Sequence, residues 1–412
     1  MERTGNIMIN IAILGYGTVG SGVYEVFRTN QKLIEQRLGE TIHVKYVLDL
    51  RDFPGDPVEE VLVHDFDTIV NDPDISIAAE VMGGTGAAYV FTKKALEAGI
   101  SVCTSNKALV AEHGRELMQI ARDKGVSYLF EASCGGGIPI IRAINDSLIA
   151  DAIDEVAGIL NGTTNYMLFK MAEEGSDFDE VLKEAQAMGY AEADPTADVE
   201  GHDACRKIAI LSTLAYGKFI DYHDIPTEGI TKITTEDMKY AKAIHSRIKL
   251  LGLSRETEEG TIAIVAPFMV NESESLYNVN DVFNGIYVHG NMLGDAMFYG
   301  SGAGKLPTAS AVASDIVDAA IHLHKTVRTN WNNEPARMVA PGEAEWNFFV
   351  RTKGVKITEA ESLFAKPKGV QIPECPEEMA YTTGVMKQSE FDKAVEELGS
   401  KLIGSIRIFN RN

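Results

Sequence analysis

The chain has 412 residues, 45% hydrophobic and 24% charged, which is enough for two or three cores and ordinary for a globular protein in water. Its formal charge of -22 argues against nucleic acid or an anionic membrane surface as a partner, so an anionic cofactor has to be held by local geometry. The four cysteines, Cys103, Cys134, Cys205 and Cys375, show neither a C-x-x-C pair nor zinc spacing and read as free thiols of a reducing cytoplasm. The opening Met1 to Met8 lacks the basic start and apolar core of a signal peptide, and no apolar run reaches the length of a membrane span. A soluble cytoplasmic protein is expected.

In chain order, residues 7–14 read as a short, β-branched buried strand. Gly15-Tyr16-Gly17-Thr18-Val19-Gly20 follows, then a helix to about Leu38 and a strand from His43 to Leu48 that ends at Asp49. A strand from Asp74 to Val81 leads into Gly83-Gly84-Thr85-Gly86 and a helix to Ala98. Ser101 to Thr104 is a strand ending in Ser105-Asn106-Lys107, followed by a helix to about Lys124 and a strand at Ser127 to Glu131. Such alternation predicts a doubly wound parallel sheet.

After Gly135 the rhythm changes. A helix is expected from Pro139 to about Ile149, then the strand Ile153 to Leu160, the loop Asn161 to Asn165 and longer helices. One of these runs from Asp203 to about Tyr216. Strands follow at Thr261 to Val270, Asn284 to His289 and Asp295 to Tyr299, making a second α/β domain with wider spacing, in which antiparallel pairing is possible. Gly302-Ala303-Gly304 opens a helix from Pro307 to about Lys325, which can return to the first domain. Residues 329–343 read as a linker. Trp346 to Arg351, a helix at Ser389 to Gly399 and the strand Gly404 to Phe409 predict a small third α+β unit. The expected division is 1–135 (completed by the helix 307–325), 136–306 and 345–412.

Gly15-x-Gly17-x-x-Gly20 follows a strand and opens a helix, the context that makes it a dinucleotide loop. Its glycines allow a tight turn, close approach of backbone to a pyrophosphate, and close packing of helix on sheet. Asp49 is placed to take ribose hydroxyls, and Arg51 is near enough to meet a 2′-phosphate, so the choice between NAD and NADP stays open. Ser105-Asn106-Lys107 ends a parallel strand, where such sheets bind ligands; Lys107 is either a surface charge or a group that reaches the reactive centre. Glu131-Ala-Ser-Cys134-Gly-Gly136-Gly-Ile138-Pro139 offers a carboxylate and flexible carbonyls, a hinge or a seat for a hard cation. Covalent catalysis by Cys134 lacks a neighbouring histidine in the sequence.

The segment from Gly189 to Lys207 gathers Glu192, Asp194, Asp198, Glu200 and Asp203 ahead of a helix. Asp203 and Lys207 share a face of that helix, and the apolar run Ile208-Ala209-Ile210-Leu211 buries it. The pair is either an ordinary capping ion pair or a proton donor beside a polar substrate.

In order, these motifs resemble homoserine dehydrogenase. The resemblance rests on Gly-Tyr-Gly-Thr-Val-Gly at 15–20, Ser-Asn-Lys at 105–107, Glu-Ala-Ser-Cys-Gly-Gly-Gly-Ile-Pro at 131–139 and Asn-Gly-Thr-Thr-Asn-Tyr at 161–166. It continues through Gly-Tyr-Ala-Glu-Ala-Asp-Pro-Thr-Ala-Asp at 189–198, Gly-His-Asp-Ala-Cys-Arg-Lys at 201–207 and Gly-Ala-Gly-Lys-Leu-Pro-Thr-Ala at 302–309. With no kinase-sized region ahead of the dinucleotide loop, the monofunctional form is expected. The resemblance implies a Rossmann-type domain, a catalytic and dimerisation domain, and an ACT-like tail. It implies reversible, NADP- or NAD-dependent reduction of L-aspartate 4-semialdehyde to L-homoserine, on the way to threonine, methionine and isoleucine.

Carried over by position, Lys207 would be the acid/base and Lys107 would share or relay that role. Glu192 and Asp203 would grip substrate, Glu192 through its ammonium group, with Asp198 a further candidate. Gly15, Gly17, Thr18, Val19, Gly20, Asp49, Gly83, Thr85, Ser105 and Lys107 would meet the dinucleotide, and Gly189 and Gly302 would border the nicotinamide. Glu131 with the carbonyls of Cys134, Gly136 and Ile138 would match a structural sodium site. A homodimer or homotetramer through the second domain's sheet is implied. Cys205 stands where a small inert residue is usual, which suggests sensitivity to oxidants. The tail's first turn, Thr352 to Ile357, departs from the Gly-rich ACT pattern and leaves a threonine-feedback site there open. Two rival readings are a dehydrogenase of another amino-acid semialdehyde and a silent dinucleotide sensor; a sensor would be expected to lose Lys107, Lys207, Glu192 or Asp203, and all are present.

Overall fold

A computed structural model describes residues 8–410. The chain divides into two compact units: residues 1–150, 213–219 and 300–334 form one, and residues 151–212, 220–299 and 335–412 the other.

The first unit alternates strand and helix: β1 (Met8–Leu14), α1 (Thr18–Leu38), β2 (Thr41–Leu48), β3 (Leu62–Val63), α2 (Asp67–Val70), β4 (Ile75–Glu80), α3 (Gly86–Glu97), β5 (Ser101–Thr104), α4 (Lys107–Lys124), β6 (Tyr128–Leu129) and the single turn α5 (Ile140–Arg142). Ile7, in the expected first strand, lies outside the described residues. All strands run parallel in the order β3-β2-β1-β4-β5-β6. This is the Rossmann arrangement, with its switch point between β1 and β4. Both faces are covered, which is why β1 is apolar but for Asn10. The helices stop where the sequence says they should. Gly39 and Gly125 take left-handed dihedrals as the caps of α1 and α4, and Arg122 and Lys124 lie in the last turn of α4.

The second unit begins with β7 (Ile153–Ile159), α6 (Gly162–Glu174), α7 (Phe178–Ala187), α8 (Thr196–Val199), α9 (His202–Tyr216) and α10 (Thr235–Ala243). The strands β8 (Ser246–Thr257), β9 (Gly260–Asn271), β10 (Phe283–Gly290) and β11 (Gly294–Ser301) follow. The chain then returns to the first unit as α11 (Lys305–Ile321), whose Val312 and Ile316 join Val23 and Phe27 of α1 and Ile11 and Ile13 of β1 in one core. The chain ends as β12 (Glu345–Lys353), α12 (Ile357–Leu363), β13 (Lys368–Val370), β14 (Glu378–Thr382), β15 (Met386–Lys387), α13 (Gln388–Leu398) and β16 (Leu402–Phe409).

Three expectations are corrected. The helix at 139–149 is only α5 followed by a π-wound stretch, Ala143–Ser147, because Pro139 and the glycines before it hold the backbone out of a regular start. The strand β8 was not expected at all. Its Arg247 and Lys249 share a sheet face with Leu251 and Leu253, and a buried Lys249 defeats the polar–apolar alternation that marks a strand. Lys249 tolerates burial by donating to the Asn165 and Asn280 side-chain oxygens and the Val279 carbonyl.

The tail is the third. It is βαββαβ with strand order β16-β12-β14-β13, yet it is not a separate body, because β16 pairs in parallel with β9 and continues the sheet. Arg351 on β12, 3% exposed, fastens it further. It donates to Asp237 and Thr234 at the start of α10 and, through both Nε and Nη2, to Glu378 on β14. The 329–343 stretch is irregular, as expected, but Trp331 in it is buried against Gly114 and Phe130.

Candidate active site

In the first unit, the carboxyl ends of β1, β4 and β5 each turn into the start of a helix. Gly15 has φ +102°, and a Cβ on Gly20 would lie 1.9 Å from the Gly15 carbonyl oxygen, so no side chain fits where α1 crosses the turn. Gly17 is the cap of α1, with Thr18 and Val19 opening it. Asp49, just past β2, accepts from the Tyr16 N–H at 2.9 Å and from the Arg51 Nε and Nη2 at 2.9 Å each. The Arg51 guanidinium holds the Asp49 carboxyl well below the usual carboxylate range. The loop thus carries an acidic ribose-type residue already matched to a cation.

Gly83, Gly84 and Thr85 form the turn before α3, and Ser105 and Asn106 the turn before α4, where Lys107 is the first helical residue. Asn106 caps α4 by accepting from the Leu109 N–H at 3.1 Å and donates its amide to the Gly84 carbonyl at 2.6 Å. Beneath both turns lies Glu80, 0% exposed, whose oxygens accept from the Met82 N–H at 2.8 Å and the Thr104 hydroxyl at 2.6 Å. Burial pushes Glu80 up to about 7.

In the second unit, Lys207 lies one turn after Asp203 on α9; both are buried, at 8% and 4% exposure. Lys207 Nζ donates to Asp203 Oδ2 and to the Leu160 carbonyl, each at 2.7 Å. Asn161 links the remaining carboxylates, donating to Asp198 Oδ1 at 2.7 Å and to Asp203 Oδ2 at 3.0 Å. Its oxygen caps α6 through the Thr164 N–H at 2.9 Å. This is a largely buried cluster of one ammonium and two carboxylates in a fixed arrangement, a geometry suited to moving a proton at a developing oxyanion.

The other charges of the 189–207 segment divide differently. Glu192 is exposed on the turn between α7 and α8, away from burial. Asp194 accepts from the Thr196 N–H and hydroxyl at the start of α8, which holds its carboxyl low. Glu200 accepts from the Thr231 hydroxyl. Gly189, at φ +75°, ends α7. The Cys205 thiol donates to the Tyr222 carbonyl, and burial pushes it up. A thiol so held has little thiolate character, which weighs against the expected oxidant sensitivity.

The Gly-rich segment after β6 belongs to the first unit. A Cβ on Gly136 would lie 2.5 Å from the Gly302 carbonyl, so the two glycine segments press together backbone on backbone. Glu131, expected to ligate a cation, instead accepts from the Ile141 and Arg142 N–H groups at 2.8 and 2.7 Å, closing the turn it precedes. Burial raises its carboxyl and those N–H groups lower it. Among the described residues no group of three or more His, Cys, Asp or Glu side chains could hold a metal ion. A cation at this segment would rest mainly on the carbonyls of Cys134, Gly136 and Ile138, with the Glu131 carboxylate already accepting one N–H at each oxygen.

Sequence reading missed Glu80 and Asn161. Glu80 had a signal, a lone carboxylate closing an apolar strand just before Gly83-Gly84. Asn161 stood inside a quoted motif without a role.

Two family models match the chain: one described as the homoserine dehydrogenase NAD binding domain over residues 15–131, and one described as homoserine dehydrogenase over residues 139–317. The homoserine dehydrogenase of Neisseria gonorrhoeae is 45% identical over 314 residues, 76% of this chain and 72% of its own. That of Bacillus subtilis is 41% identical over 313 residues, 75% of this chain and 72% of its own. Among solved structures, a homoserine dehydrogenase from Thiobacillus denitrificans has TM-score 0.91 at 34% identity, covering 98% of this chain and 99% of that one. A hyperthermophilic archaeal homoserine dehydrogenase in complex with NADPH has TM-score 0.65 at 27% identity, covering 76% and 98%.

Proposed function

The chain belongs to the homoserine dehydrogenase family, and on that premise we propose how its own residues divide the reaction. It is an NAD(P)-dependent oxidoreductase that interconverts L-homoserine and L-aspartate 4-semialdehyde. The dinucleotide supplies the hydride chemistry when bound; the protein has to orient the substrate, exclude water and handle one proton.

Lys207 handles the proton. In the reducing direction its Nζ gives a proton to the substrate oxygen as that oxygen takes on negative charge, and in the oxidising direction it takes the proton back. The observation that carries this assignment is the buried pairing of Lys207 with Asp203 and the Leu160 carbonyl, which holds Nζ in one place before substrate arrives. Asp203 and Asp198 shape the polar wall around it, and Glu192, exposed and able to reach a ligand, takes the substrate's ammonium group. Lys107, at the start of α4, assists at the cofactor side.

Gly15, Gly17, Thr18, Val19 and Gly20 receive the pyrophosphate, with Gly83, Thr85 and Ser105 completing the cofactor wall and Gly189 and Gly302 bordering the nicotinamide. Three helix starts, those of α1, α3 and α4, point N–H groups to the same end of the sheet, which supports this reading for an anionic ligand. A sodium ion, where bound, has a structural role on the 134–138 carbonyls, and no proton or hydride step passes through it.

The active species is a homodimer, or a tetramer built from it, joined through the second unit's sheet. In support, β11 is an edge strand with Met297 and Tyr299 exposed, and Met292 and Leu293 lie exposed just before it. The four cysteines are buried and form no disulfide, which supports a reducing, cytoplasmic setting.

The test is a spectrophotometric comparison of homoserine with other amino acids as hydride donors. Lys207→Ala should lower kcat by on the order of 10²- to 10⁴-fold. Retention of most of the activity would remove Lys207 from the acid/base role, and equal rates with another amino acid would overturn the substrate.

A further inference from the structure

Three adjacent strands of the first unit, β1, β4 and β5, end in the turns assigned to the dinucleotide and to Lys107. Such turns are glycine-rich and short of side chains that could brace them, so something beneath them has to fix their mutual register. Glu80 is the last residue of β4, the middle of these strands, and its carboxylate is fully buried. One oxygen accepts from the Met82 N–H at 2.8 Å, at the root of the Gly83–Gly86 turn. The other accepts from the Thr104 hydroxyl at 2.6 Å, at the end of β5.

Thr104 passes the constraint on. Its hydroxyl oxygen accepts from the Asn106 N–H at 2.9 Å, and the Asn106 amide crosses to the Gly84 carbonyl at 2.6 Å. The bonds form a closed circuit: Glu80 to Met82, along the chain to Gly84, across to Asn106, back through Thr104 to Glu80. The circuit is buried at Glu80 and Thr104 and reaches the surface at Gly84, and a closed circuit of short bonds resists distortion more than the same bonds taken singly. The third turn is tied in by packing. An added Cβ on Gly15 would lie 2.9 Å from Met82 Cγ, so the residue whose N–H Glu80 holds also packs over the dinucleotide loop.

A buried carboxylate is costly, and apolar residues of similar volume would pack β4 more stably if packing were the only demand. Neither Met82 nor Thr104 needs a charged acceptor for the fold; a neutral one would satisfy each. What the carboxylate adds is two strong, divergent acceptors on one rigid stem.

We propose that Glu80 is a positioning residue of the reaction: its two oxygens lock the Gly83–Gly86 turn and the Ser105–Lys107 turn to each other and to the dinucleotide loop. This rests on the reading that those turns serve the cofactor and that Lys107 serves the reacting groups. Glu80 touches neither; it acts through Met82, Thr104 and Asn106.

The experiment uses the full chain at pH 8 with Glu80→Gln, Thr104→Val and Thr104→Ser, reading the dissociation constant for NADPH by fluorescence titration together with kcat and the KM for homoserine. Glu80→Gln keeps the shape but turns an amide N–H₂ toward one of the two donors. Thr104→Val keeps the shape and removes the hydroxyl, whereas Thr104→Ser restores it. Glu80→Gln and Thr104→Val should each weaken NADPH roughly tenfold and lower kcat, with the homoserine KM within about twofold of wild type and Thr104→Ser close to wild type. Wild-type NADPH affinity and kcat in both impaired variants, even with a lowered melting temperature, would reduce Glu80 to a structural residue. If Glu80→Gln does not fold, the two Thr104 variants decide by the same criteria. If the wild-type protein binds NADPH but does not oxidise homoserine, the functional reading fails, and the NADPH affinities still decide the role of Glu80.

Discussion

Asp203 Oδ2 accepts two hydrogen bonds at once, from the Lys207 ammonium at 2.7 Å and from the Asn161 amide at 3.0 Å. The carboxylate that steadies the proposed proton donor is thus itself steadied by a residue that caps a different helix, α6. Asn161 holds Asp198 with the same amide group.

Replacing Asn161 should therefore hurt catalysis more than stability. Asn161→Ala removes one helix cap, worth about 1 kcal/mol, and leaves Asp203 and Asp198 to repel each other across the site. The expected result is a fall in kcat of about tenfold to a hundredfold with a melting temperature only a few degrees lower, since about 1 kcal/mol is a small shift for a chain this long. Steady-state kinetics beside a thermal melt checks both, and an unchanged kcat would detach Asn161 from the site.

Arg51 sits on Asp49 with its side chain 61% exposed. By giving up its side-chain bonds to Asp49 and the Tyr16 carbonyl it can turn toward a 2′-phosphate, leaving Asp49 to the Tyr16 and Arg51 N–H groups. Arg51→Ala should lower kcat/KM with NADPH by about tenfold relative to NADH, the scale of one charge-assisted hydrogen bond lost. Equal losses with both cofactors would show that Arg51 serves only to neutralise Asp49.

Glu80 also carries a signature in stability. Its carboxyl rises from 4.5 to about 7 on folding, so between those values the folded protein keeps a proton that the unfolded chain has released. Stability from this group is greatest below 4.5, declines as pH rises toward 7, and is constant above. The size is about 3 kcal/mol. Urea unfolding at pH 5 and pH 8 should show wild type losing about 2–3 kcal/mol more than Glu80→Gln over that interval; parallel losses would mean that Glu80 stays ionised throughout.

Arg351 answers a different question, how the tail is held. It is buried against Asp237 and Glu378, and removing it leaves two carboxylates without their cation. Arg351→Met should destabilise the protein by about 3–5 kcal/mol. The double change Arg351→Met with Asp237→Asn should recover part of that loss. No recovery would mean that the ion pair contributes little beyond packing.

The sheet of the first unit was legible because its strands are buried on both faces and its turns are marked by glycine: β1, β4 and β5 and the helices after them were expected within a few residues. Lys207 and Asp203 were legible as neighbours because a helix puts them one turn apart. What escaped had no local signature. β8 hides behind Lys249, whose partners Asn165, Val279 and Asn280 are remote in sequence. The Glu131 carboxylate looked like an ion ligand, but its oxygens go to N–H groups ten and eleven residues later, which only the turn at Pro139 makes reachable. The tail looked separate because no sequence pattern announces that β16 will pair with β9.

That pairing has a consequence for how the protein is made. β9 spans residues 260–271 and β16 residues 402–409, and the Phe268–Val270 part of β9 pairs with β16. During synthesis the β9 edge leaves the ribosome long before its partner does. Until β16 has been made, β9 presents an open edge of Phe268, Met269 and Val270 to any other nascent chain.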